Sequence, residues 1–471
     1  MKKITRFTLA ALVAAPAVFG ASVLPTASVF AAVPQQTAAK ASALLNTNGS
    51  AAHEETAAEY AQFLQAKYNI QLPQRVKRGD FLRALAAIVP AANTTAAAAK
   101  IPTFTDLKRG DAAYDAAVTL SQQGIVAEQT IHADAPLTVY AAVFAAVKAA
   151  GFKELAYTYP QTKITAAFAK VGIAANRLQG QAAQELAAAI DTGLVPSKLY
   201  PSLRKGGTID RNAANILLGK TLTSLGKYKN ELGRTSDSDI YEKLYAAYRT
   251  ADLIQAPELR TIVDQALRSN LVTGYNLKDS RYNSNFIDSL TITYGHDDIK
   301  HAVQLIGLLR SEGIDADVQF QPKTSAFIYL KEWGTPKETA DYKVTQIENG
   351  NYIAYAKEYD IQFEFNDAAD KERFNQIIAT YAKKNSDTKT PLIYGSWWQP
   401  LYYSPTELSG YPVISNTKIT LGNQYAQSFS LPSQAAAIRD GFRKLAPDDT
   451  ITGYDFWVDQ PFFNYLNGES E

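Results

Sequence analysis

The sequence predicts a multidomain chain: an all-α N-terminal region of helical repeats, then an α+β domain with mostly antiparallel sheet. Three observations carry this expectation. Apolar residues recur at helical spacing up to about residue 285, and three stretches within that region repeat one helix–turn–helix pattern. After about residue 286, strand and helix signals alternate.

The chain opens with Lys2, Lys3 and Arg6 ahead of an apolar run, Phe7 to Leu24. Val29-Phe30-Ala31 then offers a small-residue exit, so residues 1–31 read as a cleavable secretory signal peptide. Pro16, Gly20 and Pro25 interrupt the run, which argues against a retained membrane anchor. No later stretch has the length of a transmembrane segment. Removing residues 1–31 takes three basic side chains from 47, leaving 44 against 46 acidic ones and a formal charge of −2. Such a balance predicts no general attraction to nucleic acid. The 471 residues contain no cysteine. A disulfide framework, thiolate zinc sites and a Cys nucleophile are therefore excluded, and stability must come from buried apolar surface.

Residues 32–50, rich in Ala, Gln, Thr and Ser, read as a flexible leader. Residues 51–230 carry the repeats. A first helix places Tyr60, Phe63 and Leu64 on one face before Pro73 ends it. Val76-Lys77-Arg78-Gly79-Asp80-Phe81 then precedes Leu82 to Leu85. Pro136-Leu137-Thr138 leads into Tyr140 to Phe144, and Ile209-Asp210-Arg211-Asn212-Ala213 precedes Ala214 to Leu218. The aligned positions are Arg78, Val139 and Arg211, spaced by 61 and 72 residues. This suits one supersecondary unit per repeat, with a further helix through Ala174 to Ala189 in the longer interval. Gly124-Ile125-Val126 and Gly193-Leu194-Val195 repeat a common turn, and Ala91 to Ala99 reads as a loop.

Residues 231–285 read as a helical connector, with helices over Ile240–Ala247 and Pro257–Leu267. Residues 286–471 form the α+β domain. Its expected strands include Leu290–Tyr294, Ala316–Phe320, Ala326–Leu330, Tyr359–Phe365, Gln424–Phe429 and Ile451–Val458. Helices are expected over His296–Arg310, Ala368–Lys383 and from Pro432 to near Leu445. The strict alternation of Tyr359–Phe365 implies one covered face and one wet face.

The three repeats resemble, in degenerate form, the S-layer homology (SLH) family, which anchors exported bacterial proteins to cell-wall polysaccharide. The resemblance spans roughly residues 55–225, and the middle copy opens on Phe104-Thr105-Asp106 as that family does. It implies a pseudo-trimer of repeats on the surface of a Gram-positive cell, with an acidic secondary cell-wall polymer as partner. The implied polysaccharide-binding residues are Arg78, Asp80, Asp106, Asp210 and Arg211. A guanidinium offers a planar fork to a carboxylate, and a helix N-terminus adds N–H groups at the same place. The competing reading seats Arg78 and Arg211 at exposed helix starts with local carboxylate partners. Here the middle copy lacks the Arg and the outer copies lack the Phe-x-Asp opening, so fewer than three working grooves are expected.

Elsewhere the chemistry is sparse. Gly295-His296-Asp297-Asp298-Ile299-Lys300-His301 offers metal-ligand types, but a five-residue separation along one helix turns the two imidazoles roughly 140° apart. Asp297 and Asp298 read instead as acids opening a helix. No metal and no cofactor are expected. Asp448, Asp449, Asp455 and Asp459 are the acids available for glycosidase chemistry, and solvated surface acids are the simpler reading. No nucleophile elbow, phosphate-binding glycine loop or His-Glu-x-x-His helix occurs. Tyr394, Trp397, Trp398, Tyr402, Tyr403 and Tyr411 cluster in one stretch. Trp397, Trp398, Tyr402 and Tyr403 either pack as core or stack on carbohydrate or a partner protein. The composite expectation is an exported, wall-anchored structural protein rather than an enzyme; its C-terminal module either self-assembles into a surface lattice or is the working domain of an accessory wall protein. The alternative is a wall-tethered carbohydrate-active enzyme or carbohydrate-binding protein working through its C-terminal domain.

Overall fold

A computed structural model describes residues 53–90, 102–381 and 402–469. The expected signal peptide and leader, the alanine-rich loop and the pair Trp397 and Trp398 lie outside the described residues.

Thr56 opens α1 (Ala57–Tyr68) with a capping box. Its hydroxyl accepts the Glu59 N–H, the Glu59 carboxylate accepts the Thr56 N–H, and Asn69 closes the helix in the left-handed region. There follow α2 (Arg78–Ile88), α3 (Tyr114–Gln122), α4 (Val139–Ala149), α5 (Lys153–Tyr157) and α6 (Gln161–Val171). Then come α7 (Gly180–Asp191), α8 (Tyr200–Lys205) and α9 (Arg211–Ser224). The helix expected through Ala174 begins only at Gly180, because Gly172 at φ 74° ends α6 and the chain turns before restarting.

Arg78, Val139 and Arg211 are the first residues of α2, α4 and α9, and these three helices pack against one another. Their lead-in segments are also joined. The Leu137 N–H donates to the Val76 carbonyl at 2.9 Å, and the Ile209 N–H donates to the Leu137 carbonyl at 3.0 Å. Val76, Leu137 and Ile209, each two residues before a helix start, are buried. The common sequence pattern therefore marks a common structural position: a buried apolar anchor two residues before a helix start. The helical region has one core, to which α1 contributes Tyr60, Phe63 and Leu64.

Beyond Ser224 the chain closes into a barrel, which corrects the expected α+β arrangement. Its strands are β1 (Gly233–Arg234), β2 (Gly274–Asp279), β3 (Thr291–His296), β4 (Ala316–Tyr329) and β5 (Tyr342–Gln346). They continue as β6 (Tyr352–Phe365), β7 (Tyr402–Ser404), β8 (Val413–Leu421), β9 (Gln424–Ser430) and β10 (Thr450–Val458). The order β4-β2-β9-β8-β10-β7-β3-β6 returns to β4, so eight antiparallel strands form a ring; β1 adds to β4 and β5 to β6 outside it. The closing seam is the longest pairing, from Ala316 opposite Phe365 to Tyr329 opposite Tyr352. The two strands expected at 316–320 and 326–330 are thus one.

The helices α10 (Ile240–Thr250), α12 (Ile299–Ser311) and α13 (Ala368–Tyr381) cover one flank. Ile292, Val318, Phe320, Ile361 and Phe363 pack beneath them. Helices α11 (Pro257–Arg268) and α14 (Ala435–Leu445) cover another, over Tyr275, Leu277, Ala326 and Ile419. The segment read as a connector thus packs on the barrel. Helix α15 (Gln460–Leu466) closes one end, with Phe462 against Phe429 in an edge-on ring contact.

Candidate functional site

At the start of α2, the Arg78 guanidinium lies 3.3 Å from the Glu128 carboxylate. The Arg78 backbone N–H donates to the Ala135 carbonyl, and the Gly79 N–H donates to the Ala133 carbonyl. The first two N–H groups of the helix are therefore not free to receive an anion here. Asp80 accepts the Lys77 N–H at 2.9 Å and pairs with Arg83 at 2.8 Å, so it orients Arg83 rather than Arg78. Asp210 caps α9 by accepting the Ala213 N–H at 2.9 Å. The side chain of Arg211, the first residue of that helix, has neither a hydrogen bond nor an ion pair among the described residues. Of the two motif arginines, only Arg211 is uncommitted.

Asp106 sits at a turn. Its two carboxylate oxygens accept the Ile131 N–H at 2.8 Å and the His132 N–H at 2.6 Å, and His132 is held at φ 52°. Slight burial opposes ionisation, but the two N–H groups outweigh it and hold the carboxyl below its ordinary value. This Phe-x-Asp opening thus fixes the chain between Gly124 and the next helix, with Phe104 buried beside it.

The C-terminal region offers a second kind of site. In β4, Gln319, Gln321, Lys323 and Ser325 alternate with outward Val318, Phe320 and Ala326; in β6, Glu358, Asp360, Gln362 and Glu364 alternate with outward Tyr359, Ile361 and Phe363. The face of Tyr359–Phe365 expected to be wet is instead a buried polar lumen, since Asp360 and Glu364 are enclosed by the ring. Lys278 of β2 and Lys323 of β4 both reach the Asp360 carboxylate, Lys323 at 2.5 Å, and the Tyr403 hydroxyl donates to it at 2.7 Å. Burial alone would raise the Asp360 carboxyl, but the two ammonium groups bring it down to about 2. Burial pushes the Lys278 amine down, with Asp360 opposing. Burial also raises the Glu358 carboxyl, to about 7 despite nearby Lys323; Glu358 accepts from the Ser325 hydroxyl.

A further buried pairing ties the helical region to the barrel. Lys229, in the segment joining them, places its ammonium 2.5 Å from Asp317 and 2.6 Å from Glu364. Arg234 of β1 adds contacts to Asp315 and Asp317.

Tyr402 and Tyr403 belong to β7, and neither lies on an open loop. Tyr402 is buried against Tyr294, and Tyr403 stacks on Phe456 with its hydroxyl on Asp360. The expectation that His296 and His301 diverge is also corrected. His296 ends β3 and His301 lies in α12, so the helical angle does not apply, and the rings stack 3.8 Å apart. Asp298 caps α12, as expected of an acid at a helix start. Among the described residues no group of three or more His, Asp or Glu side chains is placed to hold a metal, and no helix is long and apolar enough to cross a membrane. The C-terminal acids are engaged locally: Asp455 accepts from the Ser415 hydroxyl, and Asp459 caps α15.

No protein-family model matches the chain, and no curated protein is similar to it in sequence.

The lumen lysines escaped the sequence reading. Each lies in a strand whose polar alternation could have flagged it, but Lys278 and Lys323 meet Asp360 only through pairings between distant segments.

Proposed function

We propose that this is an exported cell-envelope protein held noncovalently on an acidic secondary cell-wall polysaccharide by its helical repeats. In this reading it serves as a surface-layer or wall-associated structural component, able to assemble with copies of itself. The observation that carries it is the placement of three related motifs at the starts of three mutually packed helices, with Arg211 uncommitted at one of them. A guanidinium without a local carboxylate is available to an acidic polymer. Arg78 would exchange its contact with the exposed Glu128 for one with the polymer.

The test is cosedimentation of the mature protein with Gram-positive sacculi before and after stripping of secondary wall polymers. Binding should be lost on stripping. The double variant Arg78→Ala/Arg211→Ala should bind at least about tenfold more weakly, since one charge-assisted hydrogen bond is worth about 1.5–3 kcal/mol. Equal binding by variant and parent removes both residues from the site. A second reading, a wall-tethered carbohydrate-binding protein, draws support from the polar, charged lumen of the barrel.

A further inference from the structure

The two ends of the barrel differ. Helix α15 closes one end, burying Phe456 and Val458 on the inner face of β10. Toward the other end the same inner face becomes accessible: Tyr454 is 40 % exposed and Thr452 is exposed, although both point inward with Phe456. Register extends the inner face to the neighbouring strands, since Thr452 pairs with Lys418, Tyr454 with Asn416, and Lys418 with Gln427. The Gln427 amide donates to the Tyr454 hydroxyl at 2.5 Å, bridging β9 and β10 across β8. Solvent therefore reaches the inner face at Thr452 and Tyr454, where β10 begins, with Asn416, Tyr425 and Gln427 buried behind them.

The chemistry lining this end is out of balance. Lys418 is half-buried, has no carboxylate partner among the described residues, and sits 4.0 Å over the Tyr425 ring. Burial lowers its amine with no acid to oppose it. Deeper in, Lys278 and Lys323 share one Asp360. Three lysines thus face Asp360 and Glu358, while Glu364 of the same inner row is taken up by Lys229. Asn416 is fully buried on the inner face beside the Tyr454 hydroxyl, which can satisfy at most one of its two amide groups. The Gln427 amide oxygen is likewise unsatisfied. Buried amide groups without partners and a desolvated cation without a counter-charge are each costly, and a ligand that supplies an anion and hydroxyls would relieve both. An eight-stranded barrel has room for filling side chains or for one small ligand.

We propose that this end of the lumen, lined by Lys418, Tyr425, Tyr454, Gln427 and Asn416, binds an anionic sugar residue. The carboxylate sits at Lys418, the hydroxyls pair with the two amides, and the sugar ring lies against Tyr454. This site is distinct from the repeat face and does not depend on the anchoring reading.

Isothermal titration of the intact protein with D-glucuronate tests it, with D-glucose and inorganic phosphate as separate arms. Saturable binding of glucuronate is expected, with glucose and phosphate each at least tenfold weaker. Lys418→Gln, at the half-exposed rim, should weaken glucuronate binding at least tenfold while leaving the thermal midpoint unchanged. Asn416→Leu should do the same if near-ultraviolet circular dichroism shows it folded. Arg78→Ala/Arg211→Ala should bind glucuronate as the parent does, which separates this site from the repeats. No saturable glucuronate binding, or parental affinity in Lys418→Gln, overturns the site. Glucose or phosphate binding as tightly as glucuronate overturns the ligand class.

Discussion

Replacing a glycine inside a helix by alanine ordinarily stabilises a protein by up to about 1 kcal/mol, because the glycine backbone loses more freedom on folding. Gly219 in α9 should reverse that sign. A Cβ built there would fall 1.9 Å from Cδ1 of Tyr60, with two more ring atoms at 2.3 and 2.4 Å. Ordinary carbon–carbon contact is about 3.5 Å, so the ring must retreat by about 1.6 Å. It has no room to do so: Tyr60 is 1 % exposed, with the Tyr228 ring 5.1 Å away. Overpacking of this kind costs about 1–3 kcal/mol, and the rigid ring places it at the upper end. Subtracting the intrinsic gain leaves Gly219→Ala about 2 kcal/mol less stable. For a unit of about 170 residues, Ala57 to Ser224, that lowers the melting temperature by about 4–8 °C. Gly307 in α12 is the control, because its nearest neighbour is the Tyr241 hydroxyl at 3.8 Å, and Gly307→Ala should stabilise by about 0.5–1 kcal/mol. Thermal and urea unfolding followed by circular dichroism measure both. A Gly219→Ala protein as stable as the parent would refute the close α1–α9 approach.

Asp210→Ala should cost about 1 kcal/mol in urea unfolding by uncapping α9, whereas Asp210→Asn keeps a capping oxygen and should cost little; wall binding by Asp210→Asn then reports the carboxylate charge alone. Glu358 should make stability fall as pH rises. Its folded carboxyl at about 7 lies above its ordinary 4.5, so between those values the native state holds a proton that the unfolded state has released. The loss is order ~3 kcal/mol by pH 8, and Glu358→Gln should flatten that part of the profile, measured as the difference between variant and parent at pH 5 and pH 8. An unchanged difference would place Glu358 in a wetter environment. Asp360 acts oppositely, since its carboxyl at about 2 gives stability that is present above its ordinary 3.8 and lost as pH falls toward 2. Asp360→Asn should cost about 3–5 kcal/mol at pH 7 by leaving two lysines without their shared partner.

Local rules placed most helices and many strands. The starts of α2, α4 and α9 were legible because each is written in a short stretch: an apolar residue, a polar one, then helical spacing. Helix α12 and the Asp298 cap were legible for the same reason. The two histidines show where such reasoning stops. Their angular separation holds only if both lie on one helix, and the break at Asp298 that the helix start itself requires puts His296 on a strand, where its ring can stack on His301.

By itself, the sequence determined the repeat, the absence of disulfides and the alternation of β6, because each depends on neighbouring residues or on composition. Only the tertiary structure decided what the polar side of that alternation faces. Asp360, Gln362 and Glu364 would look the same on a wet open sheet. They enclose a lumen because β4 pairs with both β2 and β6, and β7 bridges β3 and β10. Those pairings join residues tens to more than a hundred positions apart, and they depend on the fit of the apolar outer face beneath α10–α14, which no local pattern records.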